Sequence, residues 1–119
     1  MKTFEELNIW KESKCLSLKI YSLKNISYLK NFGFKDQLQR ASVSVMSNIA
    51  EGFERNGNKE FIKFLYYSKG SLGEVRNLIS LALDLKYIEE NEYKEFVAIC
   101  ISLSQQIANF IKYLDKTKK

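Results

Sequence analysis

The chain has 119 residues, of which 45% are hydrophobic and 28% are charged, and it contains neither proline nor histidine. A chain of this length and composition forms one globular domain, and the absence of proline favours helices, because proline breaks helices and is common in the turns of all-β proteins. The absence of histidine removes the commonest general base and metal ligand, so acid–base and metal-dependent enzymes are disfavoured.

Cysteine content, charge and hydropathy predict a cytoplasmic protein. Cys15 and Cys100 fall in or beside apolar helical stripes and are predicted to be buried free thiols rather than a disulfide framework. The first thirty residues are charged and lack an apolar core, so no signal peptide is expected. No uncharged run approaches the ~20 residues that a membrane span needs, so no membrane partner is expected.

The first predicted helix covers residues 5–29. Apolar residues recur along it in steps of three and four, which is the spacing of one helix face. Thr3 is the predicted N-cap, because its hydroxyl can accept a hydrogen bond from a backbone N–H of the first turn. Gly33 is predicted to end this segment, because glycine readily takes the positive φ that a helix stop requires.

The second predicted helix covers residues 35–55, and its apolar face becomes polar and small from Asn48 onward. A turn follows, in which Gly57 is predicted to take positive φ at the helix end and Asn58 to cap the next helix. A connection this short makes the second and third helices antiparallel neighbours.

The third and fourth predicted helices cover residues 59–86 and 90–115. The third carries two apolar rows. Gly70 and Gly73 within it predict close backbone packing, since each glycine costs a helix interior ~1 kcal/mol relative to alanine. The fourth has one regular apolar stripe. Long helices joined by short turns predict an all-α fold, an antiparallel up-down-up-down four-helix bundle formed by residues 1–119 as a single domain.

Several sequence runs resemble a known family. They are residues 40–45 (RASVSV), 47–52 (SNIAEG) and 59–61 (KEF), extended by residues 7–11 (LNIWK) and 70–72 (GSL). Through these runs, and over residues 4–112, the chain resembles the four-helix-bundle proteins encoded in intervening sequences of bacterial 23S ribosomal RNA genes. A bundle's periodicity alone does not dictate the Asn-x-Ala-Glu-Gly motif, which makes the resemblance specific.

The resemblance implies a fold, an assembly and a range of partners. It implies an antiparallel four-helix bundle that assembles into a ring-like homopentamer and has no established enzymatic activity. A distantly related branch serves as accessory factors in diversity-generating retroelements, in which the pentamer engages reverse transcriptase and nucleic acid. Two functional classes follow by analogy: a nucleic-acid-binding module, or a purely structural or protein-interaction scaffold that includes the reverse-transcriptase accessory role.

Polar residues interrupt the apolar pattern where the second and third helices meet. Asn48 lies on the packing face, where an unsatisfied amide is costly, so we predict a polar network that fixes helix register or lines an assembly surface. The predicted members are Arg40, Asn48, Glu51, Arg55, Glu60, Ser71 and Glu74. The alternative for Glu51 and Arg55 is a surface ion pair between neighbouring helical turns, worth ~0.3–0.5 kcal/mol.

Lysines accumulate in the first 35 residues, which hold seven lysines and three acidic residues. Tyr21 and Tyr28 lie among them, and this mixture is typical of surfaces that hold phosphates and stack on bases. The predicted nucleic-acid contacts, with RNA or DNA, are Lys11, Lys14, Lys19, Lys24, Lys30 and Lys35. The alternative is a solvated lysine face, because the net charge of +5 is modest and the chain has only three arginines.

Large apolar side chains are more numerous than a 119-residue core can hide, and self-association is the simplest way to cover them. The predicted oligomer interface comprises Trp10, Leu18, Tyr21, Phe64 and Tyr67. The number of subunits, five, follows only from the resemblance.

No catalytic, cofactor or metal site is predicted. Glu51 with Glu60 or Glu74 could act as paired carboxylates or bind a metal, but the Glu-x-x-His motif of metal sites in bundle cores is absent. Gly70 and Gly73 lie inside a helical pattern and form no phosphate-binding loop. A non-enzymatic protein without a small-molecule substrate is therefore expected.

Overall fold

Helices account for most of residues 2–117, the part of the chain that the computed structural model describes. A 3-10 turn at Phe4–Glu6 precedes the α-helices. They are α1 (Asn8–Tyr21), α2 (Ile26–Lys30), α3 (Phe32–Glu54), α4 (Asn58–Asp84) and α5 (Glu90–Thr117). The four long helices form a bundle of 47 × 22 × 20 Å, and no strand occurs in the described range. The prediction of an all-α helical bundle is confirmed.

Hydrogen bonds between helices give their relative directions. Ser68 of α4 donates to the backbone oxygen of Val45 at 2.7 Å, and Gln37 donates to Glu74 at 3.4 Å. Residues early in α3 thus meet residues late in α4, so the two helices are antiparallel. By the same criterion α5 is antiparallel to both α1 and α4. The bonded pairs are Asn8–Gln106 and Lys19–Glu95 between α1 and α5, and Asn58–Leu114 and Lys69–Ser104 between α4 and α5. Among the described residues, α1 and α4 contact α3 and α5 but not each other, so they lie diagonally across the bundle.

The first predicted helix is wrong as a single element. The helix that begins at Asn8 ends at Tyr21, and four residues separate it from the short α2. The Asn25 side chain accepts a hydrogen bond from the backbone N–H of Tyr28 at 2.9 Å and so starts a new helix. The break lets Tyr28 turn inward over the end of the core, where it is buried. Thr3, the predicted N-cap, makes no capping hydrogen bond through its side chain.

The predicted stop at Gly33 is also wrong, because Gly33 lies inside α3. The side chain of Asn31 accepts from the backbone N–H of Phe34 at 3.2 Å, and this cap starts α3 at Phe32 rather than at residue 35. The Asn31 cap, two residues before Gly33, therefore sets the start of α3. Gly33 does not take positive φ.

The turn between α3 and α4 follows the prediction in one residue and departs from it in the other. Gly57 has φ 92°, as predicted for a residue that must take the left-handed region. Asn58 is the first residue of α4 and not its N-cap. Its amide donates to the backbone oxygen of Leu114 at 3.2 Å and to the Thr117 hydroxyl at 2.6 Å, which ties the start of α4 to the end of α5.

Helices α3 and α4 approach each other closely at Gly52. A Cβ added at Gly52 would lie 2.7 Å from Cβ of Phe64, so glycine is needed at this crossing. Gly70 and Gly73 were predicted to serve the same purpose, but an added Cβ at either would meet no atom of the described chain within 4 Å. Close packing at these two glycines is therefore not found within the chain.

The two cysteines lie in different environments. Cys100 is buried as predicted, and burial raises the pKa of its thiol to about 11. Cys15 is exposed, which corrects the prediction that both thiols are buried. Its neighbours Ser13, Leu16 and Ile20 take the core-facing positions of α1, so Cys15 projects from the other side.

None of the described helices is both long enough and apolar enough to cross a membrane.

Candidate assembly and nucleic-acid surfaces

The groove between α3 and α4 holds the first part of the predicted polar network. The Ser44 and Ser71 hydroxyls are 2.8 Å apart and join the two helices. The Asn48 amide donates to the backbone oxygen of Ser44 at 2.9 Å and to its hydroxyl at 3.1 Å. Asn48 is half-buried and its hydrogen bonds stay within α3, whereas Ile49 beside it takes the fully buried position. The link between helices therefore runs through the serines.

Glu51 and Arg55 form the second part, at the end of α3. The guanidinium lies 2.9 Å from the carboxylate, and both side chains are about half exposed, at 48% for Arg55 and 52% for Glu51. The guanidinium also lies 4.8 Å from the centre of the Phe64 ring, in cation–π geometry. This arrangement is the surface ion pair that was the alternative to a polar network. The Phe64 ring of α4 adds a cation–π contact to it.

The remaining predicted members stand apart. Glu74 accepts from Gln37, while Arg40 pairs with Asp36 at 3.6 Å on the outer face of α3. Within residues 2–117 the Glu60 side chain forms no hydrogen bond or ion pair. The predicted residues therefore form separate short-range pairs instead of one network. The reason is distance: Arg40 and Arg55 are fifteen residues apart, or about 22 Å along a helix.

The six predicted lysine contacts divide by position. Lys11, Lys14 and Lys19 project from α1, Lys24 lies in the loop before α2, Lys30 ends α2, and Lys35 lies in the first turn of α3. Lys19 is held by Glu95 at 3.2 Å. For the other five, the described residues provide no ion pair.

Aromatic rings accompany some of these lysines, but not as predicted. Lys14 lies 5.4 Å from the Trp10 ring centre, and Lys35 lies 5.2 Å from that of Phe32. Tyr28 is 1% exposed and packs edge-to-face against neighbouring rings, so it is not accessible to a base. Burial raises the pKa of its hydroxyl more than the nearby Gln39 side chain lowers it.

The predicted oligomer interface is accessible only in part. Leu18, Tyr21 and Tyr67 are 57%, 53% and 48% exposed. Phe64 is buried, and Trp10 is half-buried with its ring 5.3 Å from that of Phe4. These two residues belong to the packing of the monomer, which corrects that part of the prediction.

Other exposed apolar residues lie outside the predicted interface. They include Ile26, Leu29 and Phe32 near the α1–α3 connection, Tyr66, Leu81 and Leu85 on α4, and Val43, Ile101 and Tyr113 elsewhere. Leu81 and Leu85 lie on one of the two apolar rows predicted for the third helix, so the sequence pattern indicated them. It did not indicate Ile26, Leu29 and Phe32, because the break after α1 was not predicted.

Comparison with known proteins identifies the family. The sequence model for the 23S rRNA-intervening sequence protein family matches residues 5–109, which is most of the chain. The chain belongs to this family. The resemblance seen in the sequence runs is thus confirmed. A search of curated proteins gives no match.

A solved structure supports the fold of this 23S rRNA-intervening sequence protein. It is the crystal structure of a protein with unknown function from the S23 ribosomal protein family of Bacteroides thetaiotaomicron. The two chains are 20% identical, with a TM-score of 0.79, and the match covers 87% of this chain and 98% of the other. At this identity the likeness shows the fold alone.

A cavity of about 840 Å³ opens at the end of the bundle where α3 turns into α4. Phe53, Phe61, Phe110 and Tyr113 form much of its wall, and Asn56 and Asn58 contribute polar groups. Within residues 2–117 no group of three or more histidine, cysteine or acidic side chains is arranged to hold a metal ion. In this member of the 23S rRNA-intervening sequence protein family the cavity is lined mostly by apolar side chains, and Arg55 is a charged residue in its wall.

Proposed function

We propose that this protein is a self-assembling helical bundle that acts as a binding scaffold rather than as an enzyme. The observation that carries the proposal is the presence of large exposed apolar side chains on two helices that do not touch. Leu18 and Tyr21 lie on α1, and Tyr67 and Leu81 lie on α4. Contiguous exposed apolar surface on a small protein marks contact sites, and other copies of the chain are the simplest partners.

Support for a ring comes from the same placement. One surface that pairs with itself gives a closed dimer, whereas two different surfaces that pair with each other give rings or filaments. Apolar residues on diagonal helices supply two surfaces that face different directions. The number five is proposed by analogy with the ring-like pentamer that the family resemblance implies.

Light scattering coupled to size-exclusion chromatography tests the assembly. A pentamer has a mass of about 70 kDa, five times the 13.9 kDa chain, and native mass spectrometry counts the subunits directly. A monomer at micromolar concentration refutes the proposal, and a different oligomer refutes the number five alone.

Nucleic-acid binding is the second candidate function. The observation that favours it is that Lys11, Lys14, Lys24, Lys30 and Lys35 lie outside the ion pairs formed by the described residues, so their charge is available to phosphates. Each neutralised phosphate releases counterions, so affinity must fall steeply with salt. Anisotropy of labelled single-stranded and duplex RNA and DNA at about 50 mM salt measures binding where phosphate contacts are strong. Absence of binding under that condition rejects this candidate.

Lys11 and Lys14 separate nucleic-acid binding from assembly, because they project from α1 away from its last turn. The double variant K11A/K14A should weaken nucleic-acid binding and reduce its salt dependence while the oligomer mass stays the same. The matched control is K112A on α5, which should change neither property. A reverse transcriptase or other protein partner is the remaining scaffold role, and an adjacent reverse-transcriptase gene would support it.

The proposal includes no catalytic step, cofactor or small-molecule substrate. Its support is that the candidate carboxylates do not converge: Glu51 is paired with Arg55, and Glu74 accepts from Gln37 farther along the bundle. Metal analysis of the purified protein tests this part of the proposal. Stoichiometric metal would contradict it.

A further inference from the structure

An aromatic ring stands uncovered where α2 passes into α3. Phe32, the first residue of α3, is 71% exposed, which is the largest exposed fraction among the large apolar side chains of the described residues. Ile26 and Leu29 on α2 are 68% and 39% exposed. Burying side chains of this size stabilises a fold, so apolar surface that stays uncovered marks a place of contact.

The backbone that carries this ring is anchored by side chains that point inward. The buried Tyr28 packs edge-to-face against Phe34 and Tyr87, with ring centroids 6.2 and 5.9 Å away. Asn31 accepts from the backbone N–H of Phe34 at 3.2 Å and donates to the Tyr87 hydroxyl at 2.8 Å. Phe32 therefore projects into solvent from a fixed helix start and not from a loose loop.

Positive charge accompanies the ring along the chain. Residues 13–35 contain five lysines and no acidic residue. Lys24 before α2 and Lys30 at its end are exposed, and Lys35 lies 5.2 Å from the centre of the Phe32 ring. None of these three lysines forms an ion pair with another described residue. Their charge is thus available to an anionic partner.

The end of α4 adds a fourth lysine to this end of the bundle. The Asn25 amide donates to the backbone oxygen of Lys86 at 3.4 Å, which holds this residue beside the start of α2, and the Lys86 side chain is exposed. We name the resulting surface the α2–α3 platform. It comprises the apolar residues Ile26, Leu29 and Phe32 with the cations Lys24, Lys30, Lys35 and Lys86.

Acidic residues at the same end of the bundle gather where α4 passes into α5. They are Asp84, Glu89 and Glu90, and all three are exposed. Asp36, next to Lys35, pairs with Arg40 at 3.6 Å. Among the described helices α2 contacts α3 alone, so the first turn of α5 lies away from α2. The positive charge therefore follows the α2–α3 segment, with the carboxylates on its α4–α5 side.

We propose that the α2–α3 platform binds single-stranded nucleic acid. A base stacks on the face of the Phe32 ring that Lys35 leaves open, and the adjoining phosphates contact the lysines. Every base has a π-face and every nucleotide has a phosphate, so a ring among unpaired lysines supplies both contacts without reading the sequence. This inference rests on the nucleic-acid binding proposed above, and it names the form of nucleic acid and the ring that selects it.

The ring replaces one that the sequence suggested. Tyr28 was expected to stack on bases, but it is buried and serves as the anchor of the segment. Phe32, four residues later, is the ring that solvent reaches. The aromatic contact therefore stays within the lysine-rich segment and moves to its outer side.

A duplex and a membrane fit the α2–α3 platform less well than a single strand does. In a duplex the bases stack on one another, so none covers the ring unless it is first unstacked. An anionic membrane is flat, and it would bring negative charge against the carboxylates between α4 and α5 as well as against the lysines. A single strand is flexible and can follow the lysines alone.

Substitutions of Phe32 test the stacking contact. F32A removes the ring, and F32L keeps apolar volume without a π-face. Anisotropy of labelled single-stranded RNA and DNA of about 12 nucleotides should show binding about tenfold weaker for both variants and undiminished for F32W. The matched control is Y113A, which removes a ring that is 59% exposed on α5 and should not change affinity. Circular dichroism and the oligomer mass check that fold and assembly persist.

The lysines of the platform should change a different quantity. Each phosphate contact with a single strand contributes about 0.7 to the slope of log affinity against log salt concentration, so K24A/K30A should lower this slope by about 1.4. F32A should leave the slope as it is, because stacking releases no counterions. This division separates a stacking ring from a ring that merely holds the lysines in place.

Three outcomes overturn the inference while nucleic-acid binding by the protein stands. They are equal affinity for a duplex of the same sequence, native affinity of F32A, and native affinity of F32L, which would indicate an apolar contact without stacking. Absence of any binding at about 50 mM salt rejects the proposed nucleic-acid function itself. Flotation with phosphatidylglycerol vesicles tests the other occupant: Phe32-dependent vesicle binding without strand binding assigns the platform to a membrane and overturns the inference.

Discussion

Glycines in two regions of α3 and α4 have opposite surroundings. Near the turn that joins the helices, a Cβ at Gly52 would lie 2.7 Å from Cβ of Phe64 and 3.0 Å from its neighbour Phe61. Along the outer side of α4, a Cβ at Gly70 or Gly73 would find no described atom within 4 Å. The first glycine is required by the packing of the chain itself. The other two weaken the helix without any benefit that the single chain reveals.

The two regions thus differ in packing: residues at the Gly52 crossing pack within the monomer, whereas Gly70 and Gly73 on the outer side of α4 have no packing partner among the described residues. The crossing at Gly52 is filled by buried rings, whereas the outer side of α4 combines exposed glycine with exposed Tyr67 and Leu81. Substitutions in the first region should change stability, and substitutions in the second should change assembly.

The largest effect is expected for Gly52→Val. The branched side chain has no space between Phe61 and Phe64, so α3 and α4 must move apart, and we expect a loss of ~3 kcal/mol in the free energy of unfolding. Urea denaturation followed by circular dichroism measures it. The matched control is Gly70→Val, which meets open space; an equal loss there would show that steric fit at Gly52 is unimportant.

A gain in stability is expected for the double variant G70A/G73A. Alanine exceeds glycine by ~1 kcal/mol in a helix interior, and no described atom obstructs the new methyl groups, so the gain should reach about 2 kcal/mol. Urea denaturation followed by circular dichroism measures the gain. A loss of stability would contradict the open surroundings seen at both positions.

The helical core was predictable from the sequence because its signal is repeated many times. The boundaries of α4 and α5 lie within two residues of those predicted, at 58–84 and 90–117. The positive φ of Gly57 was predictable as well, since few residues other than glycine tolerate it. Long periodic patterns and special backbone positions each leave a direct mark on the sequence.

Local competition between signals explains the errors. The apolar spacing of α1 continues past Tyr21, but the caps at Asn25 and Asn31 divide the segment, and a cap depends on one hydrogen bond that periodicity does not describe. The predicted polar network failed for a different reason. Arg40 and Arg55 are fifteen residues apart along α3, about 22 Å, which is too far for one network. The register of α3 against α4 then determines which α4 side chains reach either of them.

Asn48→Leu tests the polar groove between the two regions. The Asn48 amide donates only to Ser44 of its own helix among the described residues, so leucine leaves no partner on α4 unsatisfied. Leucine also buries more apolar area, and we expect a gain of ~1 kcal/mol in the free energy of unfolding with an unchanged oligomer mass. Asn48→Ala, which removes the amide without adding area, is the control. A change in mass would instead support the role in assembly specificity predicted from the sequence.

The smallest effect is expected for Arg55→Ala, at the edge of the Gly52 crossing. Arg55 and Glu51 are both about half exposed, so water and salt screen their ion pair, and we expect a loss of ~0.5 kcal/mol that includes the contact with the Phe64 ring. A double-mutant cycle with Glu51→Ala isolates the ion-pair contribution, which should diminish at high salt. Arg55→Lys keeps the charge but loses the planar guanidinium over the ring, so it isolates the cation–π contact. A loss above ~2 kcal/mol for Arg55→Ala would show that this exposed pair stabilises the monomer core. The end of α3 would then belong with the Gly52 crossing, where substitutions change stability, and not with the outer side of α4.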